Sequence, residues 1–257
     1  MSGIRVTVAA VQGSAPREEG AAMLVDAGGT RGTIGGGALE WEAMRIARQM
    51  LADGATYAER KMPLGPALGQ CCGGAVVLRF EAAEQLERPR GADLWIWGAG
   101  HVGRAVVGVM APLPHVAITW ADTGPARFPE EVPEEVETVA AADLPRLMAH
   151  APVHAHHLIL TYSHEIDLAL CHAALRRGFA SCGLIGSATK WARFRTRLGN
   201  LGHADAEISR IDCPIGDPSL GKHPQAIAVG VAGRLVKEHL HKESAEKPIH
   251  RGKVTRP

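Results

Sequence analysis

The chain has 257 residues, with 28 Lys and Arg against 27 Asp and Glu, and five cysteines. At roughly 100–200 residues per domain this length holds one large or two modest domains, and 46% hydrophobic with 21% charged residues excludes disorder, collagen and coiled coil. A formal charge of +1 supplies no basic face for nucleic acid, and no run reaches the roughly 18 apolar residues of a membrane span.

Ile4 to Val11 and Ala21 to Val25 are apolar runs that stop at Gly13-Ser14-Ala15-Pro16 and at Asp26-Ala27-Gly28-Gly29, as strands closed by turns do. Gly32 to Gly37 is a glycine-rich loop ahead of Ala38 to Asp53, where Leu39, Ala43, Ile46, Ala47 and Met50 share one helical face. Short strands are expected over Tyr57 to Met62 and Ala75 to Phe80. Residues 1–80 therefore read as a smaller N-terminal α/β domain, and the charged stretch at residues 81–91 as a linker. From residue 92 to 236 short apolar runs alternate with amphipathic stretches, the pattern of βαβ units and a parallel sheet. Strands are predicted at Leu94 to Trp97, Val116 to Trp120, Val136 to Val139, His157 to Thr161 and Ser181 to Ile185. Helices are predicted at His101 to Met110, Leu144 to Ala149, Glu165 to Arg177, Thr189 to Leu198 and Gln225 to His239. Residues 237–257, with six basic and three acidic side chains, lack an apolar period and are expected to form a flexible tail.

Gly98-Ala99-Gly100-His101-Val102-Gly103 follows an apolar strand and opens a helix, as the G-x-G-x-x-G fingerprint requires. The first glycine allows the tight turn, the second lets backbone approach a phosphate, and the third permits close packing of helix on sheet. Asp122 ends the next strand, where an acid reaches a ribose or equivalent hydroxyl. Two later strands end in comparable turns. Ile185-Gly186-Ser187-Ala188-Thr189-Lys190 offers Ser187 as a helix cap and Lys190 as a cation for an anion over the sheet edge. In Thr161 to Asp167, His164 and Asp167 are expected to face the same crevice, or Asp167 simply to compensate the helix dipole.

Gly69-Gln70-Cys71-Cys72-Gly73-Gly74 is a different kind of segment. Adjacent cysteines lack the C-x-x-C spacing of a zinc site and make a strained disulfide. Glycines on both sides suit an accessible thiolate better than a buried pair. Met1 to Ala10 holds no signal-peptide core, so a cytoplasmic location and free thiols are expected. Cys171 and Cys182 are assigned to the core and Cys213 is left open. His154, His156 and His157 lack a carboxylate or cysteine at ligand spacing and are expected to lie in a polar loop.

Together these motifs resemble the XdhC family, accessory proteins of xanthine dehydrogenase maturation within the broader XdhC/CoxI group. The resemblance runs through Gln12 to Met23, Gly32 to Leu39, Leu68 to Gly74, Gly98 to Gly103, Thr161 to Asp167, Gly183 to Phe194 and Cys213 to Ala228. Ala15 departs from the Thr of many relatives, and Gly124 from a common Arg, with Arg127 nearby as a substitute. The resemblance implies a Rossmann-like C-terminal domain and a chaperone for molybdopterin, the molybdenum cofactor. Its implied partners are the molybdenum subunit of xanthine dehydrogenase, a cysteine desulfurase that supplies the sulfido ligand, and a second copy of the chain in a homodimer. The expected cofactor-binding residues are Cys71, Cys72, Gly98, Gly100, His101, Gly103, Asp122, His164, Gly186, Ser187 and Lys190, with Cys71 and Cys72 also expected to contact molybdenum or sulfur. No catalytic residue is assigned. The glycine turn and Asp122 leave open an NAD(P)-dependent oxidoreductase as the alternative.

Overall fold

The computed structural model describes residues 3–64, 74–86, 91–113 and 116–240. The chain divides into two compact units, Met1–Glu87 and Arg88–Pro257.

In the first unit the strands are β1 (Gly3–Gln12), β2 (Ala22–Asp26), β3 (Gly29–Gly32), β4 (Tyr57–Pro63) and β5 (Ala75–Ala83), with helix α1 (Gly37–Asp53) between β3 and β4. They form one antiparallel sheet in the order β3-β2-β1-β5-β4. Alternation along β1 sends Ile4, Val6 and Val8 to one face, where they meet Met23, Leu78 and Phe80 and the α1 side chains Leu39, Ala43, Ala47 and Met50. Each such buried aliphatic side chain contributes roughly 1.5–3 kcal/mol of transfer free energy. Gly54, in the left-handed region at φ 71°, ends α1. Strand β3 has no apolar signal and is missed by periodicity. Its pairing starts from Asp26, whose Oδ1 accepts the amides of Gly28 and Gly29 at 2.8 and 3.1 Å. Strand β5 continues to Ala83, three residues into the expected linker, because Glu81, Ala82 and Ala83 pair with Arg5, Ile4 and Gly3 of β1; Glu81 also forms an ion pair with Arg5 at 3.1 Å.

The second unit is a six-stranded parallel sheet of β6 (Ala92–Trp97), β7 (Val116–Asp122), β8 (Val136–Ala140), β9 (His156–Ile159), β10 (Ser181–Leu184) and β11 (Ile211–Asp212). Their order is β11-β10-β9-β6-β7-β8. Its helices are α2 (His101–Met110), α3 (Leu144–Leu147), α4 (His164–Arg177), α5 (Ala188–Asn200), α6 (Asp205–Ile208) and α7 (Pro224–Leu235). Successive strand residues point to opposite faces. Leu94, Ile96 and Leu158 meet Val106 and Met110 of α2 and Val231 and Leu235 of α7. Trp95, Trp97 and Ile159 meet Leu170 and Ala174 of α4 and Phe194 and Leu198 of α5. Both faces are covered, as a parallel sheet requires. Strand β11, two residues long, is invisible to pattern reasoning. A π-helical turn at Val236–Leu240 extends α7 into the expected tail. Among the described residues no helix is long and apolar enough to cross a membrane.

Two polar features of this core correct the sequence expectation. His156 lies in β9, one residue ahead of the strand expected from His157, so neither His156 nor His157 belongs to a polar loop, and both are buried. Each ring is held through Nδ1 from a neighbouring strand: His156 Nδ1 hydrogen-bonds Ser181 Oγ at 2.8 Å, and Trp97 Nε1 donates to His157 Nδ1 at 3.2 Å, while His157 Nε2 is buried without a hydrogen-bond partner among the described residues. The second feature is an ion pair. Lys190 Nζ donates to Asp167 Oδ2 at 2.6 Å and to the Ile185 carbonyl at 2.9 Å. Asp167 is fully buried, and its Oδ1 accepts the Thr161 amide and hydroxyl.

Burial, aided by the adjacent His156, pushes the His157 pKa from 6.5 down to about 4. The folded state holds this ring neutral while the unfolded chain takes up a proton below pH 6.5. Its contribution is therefore complete above pH 6.5 and is lost as pH falls toward 4, a change on the order of 3 kcal/mol. Urea denaturation across that window should show a steeper pH dependence for the wild type than for His157→Gln; equal slopes would contradict this burial. Lys190→Met strands the Asp167 carboxylate and should lower unfolding free energy by about 3 kcal/mol. Adding Asp167→Asn, which keeps an acceptor for Thr161 but removes the charge, should recover much of the loss in the same assay.

Candidate functional site

The chain runs from β6 through β7 to β8 on one side of the sheet and then returns to β9 on the other side of β6. Ligands of open α/β sheets lie at such a reversal, outside the carboxyl ends of the strands. The loops there are Gly98 to Gly100 after β6 and Leu160 to Ser163 after β9.

The glycines of the first loop do three different jobs. Gly98 sits at φ 118°, and a Cβ there would come within 2.5 Å of the Leu160 carbonyl oxygen. Gly103 lies on the first turn of α2, where a Cβ would run into the carbonyl of Gly98. Gly100 has an ordinary φ of −74°, and a Cβ there would meet nothing within 4 Å. The Cβ position of Gly100 is therefore open at the start of α2, a ten-residue helix with no side-chain cap at Gly100. Its first amides have no acceptor within the helix.

Asp122 is placed beside this turn but does not face outward. It is 1% exposed; Oδ2 accepts the Ala99 amide at 2.6 Å, and Oδ1 accepts the Thr123 amide at 2.6 Å and lies 3.4 Å from Arg127 Nε. A carboxylate buried against backbone amides satisfies them strongly, so the acid shapes the turn instead of projecting toward a ribose. Trp120 Nε1 donates to the Gly98 carbonyl at 3.0 Å. Arg104, which the sequence reading did not single out, donates from Nε to the Ala99 carbonyl at 3.0 Å and from Nη2 to the Arg127 carbonyl at 2.9 Å.

Lys190 does not extend over the sheet edge either. Its pairing with Asp167, which also holds Thr161, ties the loop after β9 to the start of α5 and commits the Lys190 ammonium to that carboxylate. Asp167 likewise points inward, since three donors converge on it. Ser187 caps α5 by accepting the Lys190 amide at 3.2 Å. A Cβ on Gly186 would press on Lys190 Cδ at 2.8 Å and approach Cys213 Sγ at 3.3 Å, so glycine allows that loop to lie close. His101, His164 and Ser187 are exposed. So is Tyr162, with the Arg127 guanidinium 4.4 Å from its ring centre. No sequence motif indicated this pair, because its partners are 35 residues apart, Arg127 at the end of a short 3-10 turn and Tyr162 in the loop after β9.

Burial raises all three described thiols. Cys171 and Cys182 are driven well up, and Cys213 is pushed up to about 11. Among the described residues no group of three or more His, Cys, Asp or Glu could hold a metal ion. Cys71 and Cys72 lie outside the described residues. The motifs around them do converge: the Leu64 amide donates to the Gly74 carbonyl at 2.8 Å, and a Cβ on Gly74 would meet the Gln12 carbonyl oxygen at 2.6 Å. Gly35 is similarly close to Pro16, where a Cβ would meet Pro16 Cβ at 2.5 Å. Thr33 and the Ile34 amide donate to Glu40 at 2.5 and 2.9 Å. Burial raises the Glu40 pKa, but these bonds and the amides of Gly36 and Gly35 outweigh it and hold the carboxyl low. The glycine loop before α1 is thus occupied by its own carboxylate.

Comparison with known proteins places the chain. Residues 94–235 match the XdhC Rossmann domain, and residues 2–60 match the XdhC and CoxI family. The uncharacterized protein YqeB of Escherichia coli (strain K12) is 30% identical over 252 residues, covering 93% of this chain but 44% of that protein. The chain thus spans less than half the length of this curated relative. A crystal structure of a xanthine dehydrogenase from Bacillus halodurans superposes with a TM-score of 0.72 at 18% identity, covering 96% of this chain and 94% of that one, a likeness of fold. Since the Rossmann-domain match alone takes in more than half of the residues, the chain belongs to the XdhC family.

Proposed function

We propose that the chain is an accessory protein of xanthine dehydrogenase maturation. In this reading it binds molybdopterin cofactor in the cytoplasm, shields it while a cysteine desulfurase provides the terminal sulfur, and delivers it to the molybdenum subunit, working as a homodimer. The observation that carries the reading is the open Cβ position of Gly100 at the start of α2 in an XdhC Rossmann domain. A phosphate fits there, because several backbone N–H groups and the positive end of the helix dipole converge on one point.

The residues then divide by task. The amides following Gly100 hold the phosphate, and exposed His101 lies at the same helix start. Gly98 and Gly103 keep α2 close to the sheet. Asp122 and Lys190 act from behind as positioning residues, fixing the turn and the loop after β9. His164, Ser187 and Gly186 form the rim on the β9 and β10 side. Cys71 and Cys72 are assigned the sulfur chemistry, since thiolate is a soft ligand suited to a sulfur-seeking metal. The cofactor is cargo: once delivered it furnishes the redox centre of the dehydrogenase. The alternative of an NAD(P)-dependent oxidoreductase draws less support, because Asp122 would have to give up the Ala99 amide to reach a ribose.

Anaerobic purification from molybdate-supplied cells, followed by metal and pterin analysis, tests the reading. Wild-type protein should carry pterin. Gly100→Glu, tolerated by the fold because a Cβ meets nothing there, should lose at least roughly tenfold of it by putting a carboxylate where the phosphate binds. Cys71→Ala and Cys72→Ala should keep the pterin and lose dehydrogenase activation. Pterin-free wild type that binds NADH tightly and turns over a small substrate would favour the oxidoreductase.

A further inference from the structure

In the sheet β6 lies between β7 and β9. Arg127 belongs to the loop after β7 and Tyr162 to the loop after β9, yet they touch, with the guanidinium carbon 4.4 Å from the ring centre. Their contact therefore spans the carboxyl end of β6, where the glycine turn begins. Thr161, the residue before Tyr162, is itself close to the turn: a Cβ on Gly98 would meet its Cα at 3.1 Å.

Both side chains are held without being buried. Tyr162 is 63% exposed and the Arg127 side chain 41%. Arg127 is fixed by Asp122 at its Nε and by Arg104 at its carbonyl. Tyr162 follows a loop locked by Thr161 and Asp167. An exposed aromatic ring and a guanidinium already in contact and held in place need little further ordering to accept a flat group.

We propose that Arg127 and Tyr162, already in contact with each other, form a stacking clamp whose exposed outer face receives the planar ring of the ligand whose phosphate the glycine turn holds. The ligand chemistry is a heteroaromatic ring bearing a phosphate, common to a phosphorylated pterin and a nucleotide. The clamp supplies ring recognition, which a phosphate-binding turn lacks. It rests on the assignment of the turn as a phosphate site and adds the residues that select what the phosphate carries.

Titration of the full chain with neopterin monophosphate and with NADH, followed by the intrinsic fluorescence of each probe, tests the clamp. Wild type should bind at least one of them, and the one it binds identifies the source of the ring. Tyr162→Ala should weaken that probe roughly tenfold, the scale of one lost ring stack, with an unchanged melting temperature because the side chain is exposed. Tyr162→Phe should retain wild-type affinity, and Arg127→Ala should weaken binding as Tyr162→Ala does. If Gly100→Glu abolishes binding while Tyr162→Ala leaves it intact, the clamp is wrong and the phosphate site stands. If Tyr162→Ala weakens binding while Gly100→Glu does not, the ring site stands and the phosphate assignment is wrong. Failure of wild type to bind either probe overturns both.

Discussion

The C-terminal unit is organised around the close approach of α2 to the ends of β6 and β9. Gly98 and Gly103 make this possible by lacking Cβ atoms at two positions where backbone occupies the space. The approach brings the start of a ten-residue helix to the sheet reversal with no side-chain cap on its first amides. It also creates a demand, because the Ala99 amide is carried into the interior, where an unpaired donor costs about 1–3 kcal/mol. Asp122 meets that demand at 2.6 Å. One amide of the turn is thus used for shape, and the next ones remain for a ligand. With a formal charge of only +1, anion binding in the proposed function falls to such amides rather than to a basic surface.

The Asp167–Lys190 pair is a second constraint of similar kind. Two charges removed from water gain little net stability over an apolar pair, but they demand specific partners. Oδ1 of Asp167 takes the amide and hydroxyl of Thr161, and Lys190 takes the Ile185 carbonyl. The loops after β9 and β10 are therefore fixed relative to each other by groups that tolerate few alternatives. Tyr162 inherits its position from that arrangement, and Arg127 inherits its own from Asp122 and Arg104.

The parallel sheet was legible because buried strands are short apolar runs, and α2 because a glycine turn starts it. Strands β3 and β11 were not, since Gly29–Gly32 is polar and Ile211–Asp212 is too short for any period. The polar side chains divide in the same way. Composition and spacing identified Gly98, Gly100 and Gly103, whose constraints are local to the turn. They misdirected His156, Asp122 and Lys190 because each side chain's partner lies on another element, 25, 23 and 23 residues away. A residue type shows what a side chain can bond, whereas its direction is decided by contacts that only the folded chain assembles.

The same distinction governs the cysteines. A thiol takes part in metal or sulfur chemistry as thiolate, and its reactivity follows its pKa. Cys171 and Cys182 pack into the core between β10 and α4, where burial disfavours the charge. Cys213 lies nearer the loops, but burial outweighs the help of Lys190, and at about 11 its thiol stays protonated at neutral pH. Lys190 has little to offer it because its charge is spent on Asp167 at 2.6 Å. In the proposed function the thiolate role therefore falls to Cys71 and Cys72. The Rossmann unit's share is to hold phosphate and ring, so ligand binding and sulfur chemistry are assigned to residues of different units and can be lost separately by mutation.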